Sequence, residues 1–175
     1  MMTTCRFRAL ALISVAGLVL TFALAQETWK EYVYEADGFA ISMPQEPVLS
    51  KSSVDTKAGP VEMHNYMVEL GQDAALLVSM ADYGSSMQNA DPKAVLQGGK
   101  EGAMRNTNSH LISERPLTLQ GYPGLGIETE NDTMHFSARF YMVNTRLYQT
   151  VAVTSIGKPY TGTNRFHESL RLVLK

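Results

Sequence analysis

The sequence feature that most constrains the fold is an alternation of apolar and polar residues, which recurs in short segments separated by turns. In the clearest segment, residues 133–143, every second residue is apolar: Met134, Phe136, Ala138, Phe140 and Met142. Successive side chains of a β-strand point to opposite faces, so this alternation predicts a strand with one buried face. Asn144-Thr145 is a tight turn into a second such segment, residues 146–154, and a hairpin requires antiparallel pairing.

Segments with similar strand character cover much of the chain. They are residues 29–35, 39–43, 52–57, 61–70, 74–83, 110–119 and 125–130. Turn signals such as Asp37-Gly38 separate neighbouring segments, which indicates hairpins, and Pro116 interrupts the segment 110–119. We therefore expect a single antiparallel β-sheet of about 6–8 strands.

A helix is predicted in the middle of the chain, from Pro92 to Arg105. Asp91 is a suitable N-cap because its side chain can accept hydrogen bonds from free backbone N–H groups, and proline is tolerated at the first helical position. Gly98-Gly99 in the interior weakens this helix by about 1 kcal/mol per glycine relative to alanine. We expect a soft helix.

A second, short helix is predicted near the C-terminus, from about Asn164. Phe166 and Leu170 are four residues apart and therefore lie on one face of it. Because the two helices do not alternate with the strands, the pattern is typical of an α+β fold and not of a doubly wound α/β fold. The predicted architecture is one antiparallel sheet with a mid-chain helix and a C-terminal helix packed on it.

The N-terminal segment has the composition of an export signal. Arg6 and Arg8 form a short basic region, and an apolar run follows over residues 9–25. The run ends in Ala23-Leu24-Ala25, a pattern that signal peptidase accepts, which makes Gln26 the predicted first mature residue. An uncleaved anchor is the alternative, but the run is slightly shorter than the roughly 20 residues that span a bilayer.

Removal of this signal peptide, residues 1–25, would leave residues 26–175 as a single domain, periplasmic or secreted, with no stable membrane anchor. Cys5, the only cysteine, would leave with the signal. A cysteine-free mature chain suits an oxidising compartment, and it excludes a disulfide framework and a thiolate zinc cluster. The formal net charge of −2 provides no basic surface for nucleic acid.

Residues that could carry chemistry form no recognisable catalytic set. His64, His110, His135 and His167 are isolated in different predicted elements, and no Gly-x-Ser-x-Gly motif accompanies them. We interpret them as strand or helix-surface residues. Glu62 and His64 share one side of a strand and His135 could lie nearby, but a metal site needs three or four convergent ligands. We predict a chain that is not an enzyme, with no catalytic residue, cofactor or metal.

Methionine and aromatic residues allow a binding interpretation beside a packing one. The methionines could hold Cu(I) through their thioethers, but Met134 and Met142 lie on an apolar strand face, where methionine fills gaps. We favour the core for the methionines and for most tyrosines. Trp29 and Tyr32, near the edge of the domain, are the candidate interaction surface, because amphipathic aromatic side chains suit contacts with protein, peptide or glycan.

Several short motifs together resemble a known domain family. Asp37-Gly-Phe-Ala-Ile-Ser-Met-Pro44 resembles the DGF-x-I-x-x-P opening of exported PsbP-like and DcrB-like domains. Further motifs follow in the family's order: a hairpin around Gly59, the turn Gly121-Tyr-Pro-Gly124, a strand ending near Arg139-Phe-Tyr141, a strand opening at Arg146-Leu-Tyr148 and the helix Phe166-His-Glu-Ser-Leu170. The resemblance covers residues 29–172 and rests on the order and spacing of the motifs.

This resemblance implies an antiparallel sheet flanked by helices. Proteins with such domains include photosystem extrinsic subunits, a Ran-binding nuclear import factor, and bacterial exported proteins and lipoproteins, which mostly bind proteins or small ligands. No catalytic residue carries over. The chain lacks the lipidation cysteine of many bacterial members, and it has Leu170 where an aromatic residue often follows the serine.

We therefore expect an exported, non-catalytic domain that binds an envelope or secreted protein. The alternative is a carrier of a small apolar molecule or lipid, with a cavity between the sheet and the helices. An exposed apolar patch would favour the first function, and a closed apolar cavity of a few hundred Å³ would favour the second. A hydrolase or metal enzyme would need converging histidine and carboxylate groups, which the sequence does not display.

Overall fold

Antiparallel strands dominate the chain, as the alternation predicts. The computed structural model describes residues 28–56 and 59–173, so the predicted signal peptide with Cys5 and the Ala25–Gln26 cleavage site lie outside the described residues. The strands are β1 (Lys30–Tyr34), β2 (Phe39–Met43), β3 (Val48–Thr56), β4 (Gly59–Leu70), β5 (Ala74–Asp82), β6 (His110–Leu119), β7 (Tyr122–Glu130), β8 (Met134–Val143), β9 (Arg146–Ser155) and β10 (Arg171–Leu172). The helices are α1 (Pro92–Thr107) and α2 (Thr163–Glu168), and a 3₁₀ turn spans Gly84–Met87. Within this part of the chain, no helix has the length and apolar character needed to cross a bilayer.

Seven strands form the main sheet, in the order β3-β4-β5-β9-β8-β7-β6, and every neighbouring pair is antiparallel. The predicted α+β architecture, with one helix in mid-chain and one near the C-terminus, is confirmed. In addition, β1, β2 and β10 form a small sheet of their own, in the order β1-β2-β10. Alternation in β1 and β2 predicts strands but does not say which sheet they join, so the small sheet was not foreseen.

One face of the main sheet packs against the small sheet and α2, and we call it the covered face. Its main-sheet residues are Tyr66, Val68, Leu76, Val78, Tyr141 and Tyr148, all buried. Phe39 and Ile41 of β2 and Phe166 of α2 are fully buried against them. The tyrosines and apolar residues of these strands thus form the larger core.

The opposite face of the main sheet, which we call the α1 face, carries one helix over part of its width. α1 contacts β7 and β8, and its buried Leu96 joins Leu125, Phe140 and Leu147 in a second apolar cluster. Gly99 lets the helix approach the sheet closely, because a Cβ at this position would lie 3.2 Å from the Phe140 ring. The glycine that weakens the isolated helix therefore also permits its packing.

Both ends of α1 follow local rules. Asp91 accepts a hydrogen bond from the Lys93 backbone N–H at 3.0 Å, so the predicted N-cap is confirmed. Asn108 follows the last residue of the helix and has a left-handed φ of 48°, as is common just beyond a helix C-terminus. It therefore extends to Thr107, slightly beyond the predicted end at Arg105.

The β6–β7 hairpin differs from its prediction. β6 continues through Pro116, because β6 is an edge strand of the main sheet and an edge tolerates a missing N–H. The turn consists of Gln120 and Gly121, whose φ values of 49° and 89° match a two-residue hairpin loop. β7 consequently begins at Tyr122, so the segment predicted as a turn is mostly strand.

Candidate functional site

Polar side chains converge where the turn between β1 and β2 meets β4. Glu62, His64 and Tyr66 are alternate residues of β4 and therefore project from the same face, which is the covered face. Asp37, in the turn, reaches them from the small sheet. We call these four residues the His64 cluster.

The two ring nitrogens of His64 both face carboxylates. Nδ1 lies 2.9 and 2.8 Å from the two carboxylate oxygens of Asp37, and Nε2 lies 2.8 Å from Oε1 of Glu62. Asp37 is 4 % exposed, whereas Glu62 is largely exposed to solvent. His64 therefore bridges a buried carboxylate and a solvated one.

Two tyrosines complete the environment of Asp37. The Tyr66 hydroxyl donates to Oδ2 of Asp37 at 2.5 Å, and the Tyr148 hydroxyl donates to its backbone carbonyl at 2.8 Å. Gly38, the next residue in the turn, has a φ of 75°, and a Cβ there would lie 3.0 Å from the Tyr148 hydroxyl. The turn thus needs glycine both for its conformation and for its fit against β9.

The electrostatics of the cluster follow from these contacts. Hydrogen bonds that the ring donates to Glu62 and then to Asp37 raise the pKa of His64 above its ordinary value. The pKa of Glu62 is lowered, first by the hydrogen bond that Glu62 accepts from His64 and then by the one that it accepts from Lys51. Burial, followed by the hydrogen bond to Asp37, raises the pKa of Tyr66 strongly. This arrangement favours the imidazolium form of His64 over the neutral form.

The structure brings together two of the three residues considered for a metal site. His64 and Glu62 are in contact, but His135 lies on β8, with β5 and β9 between it and β4. At the usual strand spacing, about 14 Å separates β4 from β8. His135 instead lies 3.4 Å from Glu128. Within residues 28–56 and 59–173, no group of three or more His, Cys, Asp or Glu side chains could hold a metal ion.

His167 contradicts its prediction as a surface histidine, because it is 2 % exposed and lies on the covered face. Its Nδ1 is 2.7 Å from Oγ1 of Thr150, and its Nε2 is 3.2 Å from Oγ of Ser137. Burial, followed by the charge of Arg139, lowers the pKa of His167 to about 3. The reason is tertiary, since α2 places this helical residue against the middle of β9.

The hydrogen bonds around His167 define one consistent arrangement of protons. Ser137 donates to Glu128 at 2.8 Å, so its oxygen is free to accept from Nε2–H of His167. Nδ1 then accepts the Thr150 hydroxyl proton. In this arrangement His167 donates to Ser137 and does not withdraw its proton, and a pKa of about 3 makes the imidazole a weak base.

Two clefts open on the described surface. One, of about 310 Å³, lies between α1 and the β6–β7 hairpin and has a mostly apolar floor of Leu96, Pro116, Pro123 and Leu125. The other, of about 510 Å³, lies beside the β1–β2 turn and is more polar, with Glu35, Asp82, Thr145 and Arg146 in its wall. In this wall, Arg146 Nε donates to Oδ2 of its cross-strand partner Asp82 at 2.8 Å.

An apolar row on the α1 face extends beyond the reach of α1. Val48, Met67, Leu77 and Val151 are direct cross-strand partners on β3, β4, β5 and β9, so they lie side by side. We call these four residues the open strip. Val48 is 72 % exposed and Met67 is 41 % exposed, whereas Val151 packs against the cluster under α1. The strip therefore connects the core to the edge of the sheet.

The two edges of the main sheet are built differently. No described strand pairs with the outer edge of β3 or of β6. β6 contains Pro116 and a register shift between Leu111 and Ser113, devices that discourage pairing with another strand. β3 pairs with β4 in unbroken register from Val48 to Thr56 and contains no proline. Its outer edge therefore presents a regular row of backbone hydrogen-bonding groups.

Trp29 and Tyr32, the predicted interaction surface, are both half-buried against the larger core. The Trp29 ring stacks on Tyr160 with centroids 6.5 Å apart, and the Arg165 guanidinium lies 4.7 Å from the Trp29 ring centroid. Lys30 Nζ lies 5.2 Å from the Tyr32 ring centroid. Both residues are partly exposed, and a contact role for them stays a prediction.

Comparison with known proteins identifies solved structures that have a similar fold. No family model matches the chain, and no curated protein matches it. The solution structure of cyanobacterial PsbP (CyanoP) from Synechocystis sp. PCC 6803 matches with a TM-score of 0.57 and 15 % identity, over 86 % of this chain and 95 % of that one. A Pseudomonas aeruginosa protein of unknown function, PA94, matches with a TM-score of 0.38 and 11 % identity, over 73 % of this chain and 83 % of that one. The chain has a PsbP-like fold, as the motif resemblance predicts.

Proposed function

We propose that this chain is an exported, non-catalytic domain that binds another protein of the cell envelope or the secreted fraction. The observation that carries the proposal is the open strip, Val48, Met67, Leu77 and Val151, which continues an internal apolar cluster out to the sheet edge. Continuous apolar surface of this kind marks sites of protein interaction.

The edge of β3 specifies the form of the partner. Its unbroken register and lack of proline suit the addition of an extended segment, which would pair with its outer backbone groups. Val48 and Leu49 are 72 % and 48 % exposed and point to opposite faces of the sheet, so an added strand would cover both. The expected partner segment is extended and apolar near these residues, and it is not basic opposite Lys51.

The non-catalytic part of the proposal rests on the hydrogen bonding of His64 and His167. Both ring nitrogens of His64 are occupied by carboxylates, and His167 donates to Ser137 with a pKa of about 3. Neither arrangement presents a base to a nucleophile. The PsbP-like fold fits a non-catalytic domain.

Export rests on the N-terminal sequence. The basic residues Arg6 and Arg8, the apolar run and the Ala23-Leu24-Ala25 pattern support a cleaved signal, with Gln26 as the first mature residue and a periplasmic or secreted location. Under this proposal, Trp29 and Tyr32 supply a further aromatic contact for the partner, since both retain solvent-exposed ring surface.

A second candidate function is a carrier of a small apolar ligand. The observation that favours it is the cleft of about 310 Å³ between α1 and the β6–β7 hairpin, whose floor includes Leu96, Pro116 and Leu125. Its volume lies at the lower end of the range for ligand sites. The cleft is open to solvent and not closed, which is why we favour protein binding.

Site-specific photocrosslinking tests the proposed function. Benzoylphenylalanine replaces Val48 on β3 in the full chain, expressed with its own N-terminal segment in cells that export it. The matched control carries the same group in place of Ile112, an apolar residue of β6 that is 50 % exposed. We expect a discrete crosslinked protein from position 48 and none from position 112, on a chain that begins at Gln26.

Equal crosslinking at the two positions, or none at either, would contradict binding at the β3 edge. A carrier would give no protein crosslink at position 48. An intact Met1 terminus on the accumulated chain would contradict cleaved export.

A further inference from the structure

We propose that His64 is a pH-responsive clasp: as an imidazolium it ties the β1–β2 turn to β4, and it loosens the turn when it loses its proton. This device is independent of the proposed binding function. The proposal rests on the contacts of the His64 ring, in which each of the two nitrogens faces a carboxylate.

The geometry of the His64 cluster requires two N–H donors. Asp37 accepts at Nδ1 and Glu62 accepts at Nε2, each within 2.9 Å. A neutral imidazole carries only one N–H, so its other nitrogen would present a lone pair to a carboxylate. As long as both partners are carboxylates, only the imidazolium satisfies both contacts, and its deprotonation leaves one nitrogen lone pair facing a carboxylate.

The charges around His64 come from three elements. Asp37 lies in the β1–β2 turn and Glu62 lies on β4. Lys51 on β3 is the direct cross-strand partner of His64 and lies 3.0 Å from Glu62. The cross-strand neighbour of His64 on β5 is Met80, which is apolar and buried. The imidazolium therefore faces two carboxylates, which raise its pKa, and the positive charge of Lys51, which opposes them with a smaller effect.

Loss of the clasp is expected to loosen the turn without unfolding the domain. The Tyr66 and Tyr148 hydroxyls hold Asp37 independently of His64, through its carboxylate and its carbonyl. Glu35 and Gly38 of the same turn line the polar cleft of about 510 Å³. The state of His64 thus bears on the wall of that cleft.

The direction of the pH dependence follows from the pKa shifts. Because the pKa of His64 is raised above 6.5 in the folded chain, its contribution to stability is complete below about pH 6.5 and is lost as pH rises through the raised value. Because the pKa of Glu62 is lowered from 4.5, its contribution is present above about pH 4.5 and is lost in stronger acid. The clasp is therefore complete between these limits.

Titration of His64 by NMR tests the proposal directly. The chain is expressed with its own N-terminal segment and purified in the form that the cells produce. In this chain we expect the titration midpoint of His64 to lie above the ordinary 6.5. Glu62→Gln should lower that midpoint, because it removes the carboxylate from Nε2. A wild-type midpoint at or below 6.5 would overturn the clasp, as would a Glu62→Gln variant with an unchanged midpoint.

Thermal unfolding provides the second measurement. Between about pH 6 and about pH 8.5, the Tm of the wild-type chain should fall by about 2–4 °C more than that of His64→Gln, which has no group to titrate at this site. The comparison cancels the contribution of His167, which both chains retain. His110→Gln is the matched control, since His110 is exposed and 3.4 Å from Glu130. A wild-type chain that tracks His64→Gln at both pH values would contradict the proposal.

Discussion

The two faces of the main sheet are covered to different extents. The covered face meets both the small sheet and α2, and its residues are buried from Tyr66 on β4 to Tyr141 on β8. The α1 face has one helix, over β7 and β8, and leaves Met67 and Val48 exposed. The main sheet is therefore fully packed on the covered face and only partly covered on the α1 face.

Under the proposed function, this difference separates a face that stabilises the fold from a face that binds the partner. Burial of apolar surface contributes about 25 cal/mol per Å², and the covered face holds the larger of the two buried apolar clusters. The open strip receives only part of that contribution within the chain. Its remaining surface is available to a partner, which would complete the second layer.

Replacement of Phe166 on the covered face should have the largest effect. Phe166→Ala removes a fully buried ring that holds α2 against the core, which should lower the free energy of unfolding by about 3–5 kcal/mol. Chemical denaturation measures this loss. A loss below about 1 kcal/mol would contradict the difference between the two faces, since α2 would then contribute little to the packing of the covered face.

Replacement of the hydroxyl that faces His167 should have an intermediate effect. Thr150→Val keeps the shape of a fully buried residue but removes the donor to Nδ1, which should cost about 1–3 kcal/mol of stability. Thr118→Val, at an exposed position of β6, is the control. If the two variants unfold at the same denaturant concentration, the hydrogen bonds of His167 do not stabilise the covered face.

Replacement of Met67 in the open strip should have the smallest effect on stability and the clearest effect on binding. Met67→Ser alters a residue that is 41 % exposed, so the free energy of unfolding should change by no more than about 0.5 kcal/mol. The same substitution should weaken the crosslink from position 48. A large loss of stability with an unchanged crosslink would assign the strip to the core of the chain itself.

Much of the fold could be predicted because the relevant interactions are local. The alternation in β8 and the tight turn at Asn144-Thr145 specify a hairpin within about twenty residues, and Asp91 caps α1 through a contact with Lys93. The predictions fail where a local pattern is compatible with two structures. Pro116 interrupts a central strand but not an edge strand, and an apolar alternation does not show which sheet a strand joins.

The His64 cluster could be predicted only in part. Glu62 and His64 are two residues apart on one strand, so their shared face follows from the sequence. Asp37 comes from a separate hairpin, and no pattern in the chain links it to His64 or Tyr66. The buried position of His167 likewise depends on where α2 packs against β9, since a helix of six residues has no burial pattern that could reveal it.

The sequence by itself determined the strands, most of their hairpins, the start of α1 and the α+β class, because side-chain periodicity, capping and turn geometry act between residues close in the chain. The tertiary structure alone decided which face of the main sheet was covered. It also decided that the small sheet stood apart and that Asp37 met His64. These outcomes depend on the packing of whole layers, where the apolar surface buried by distant segments selects among arrangements that are locally equivalent.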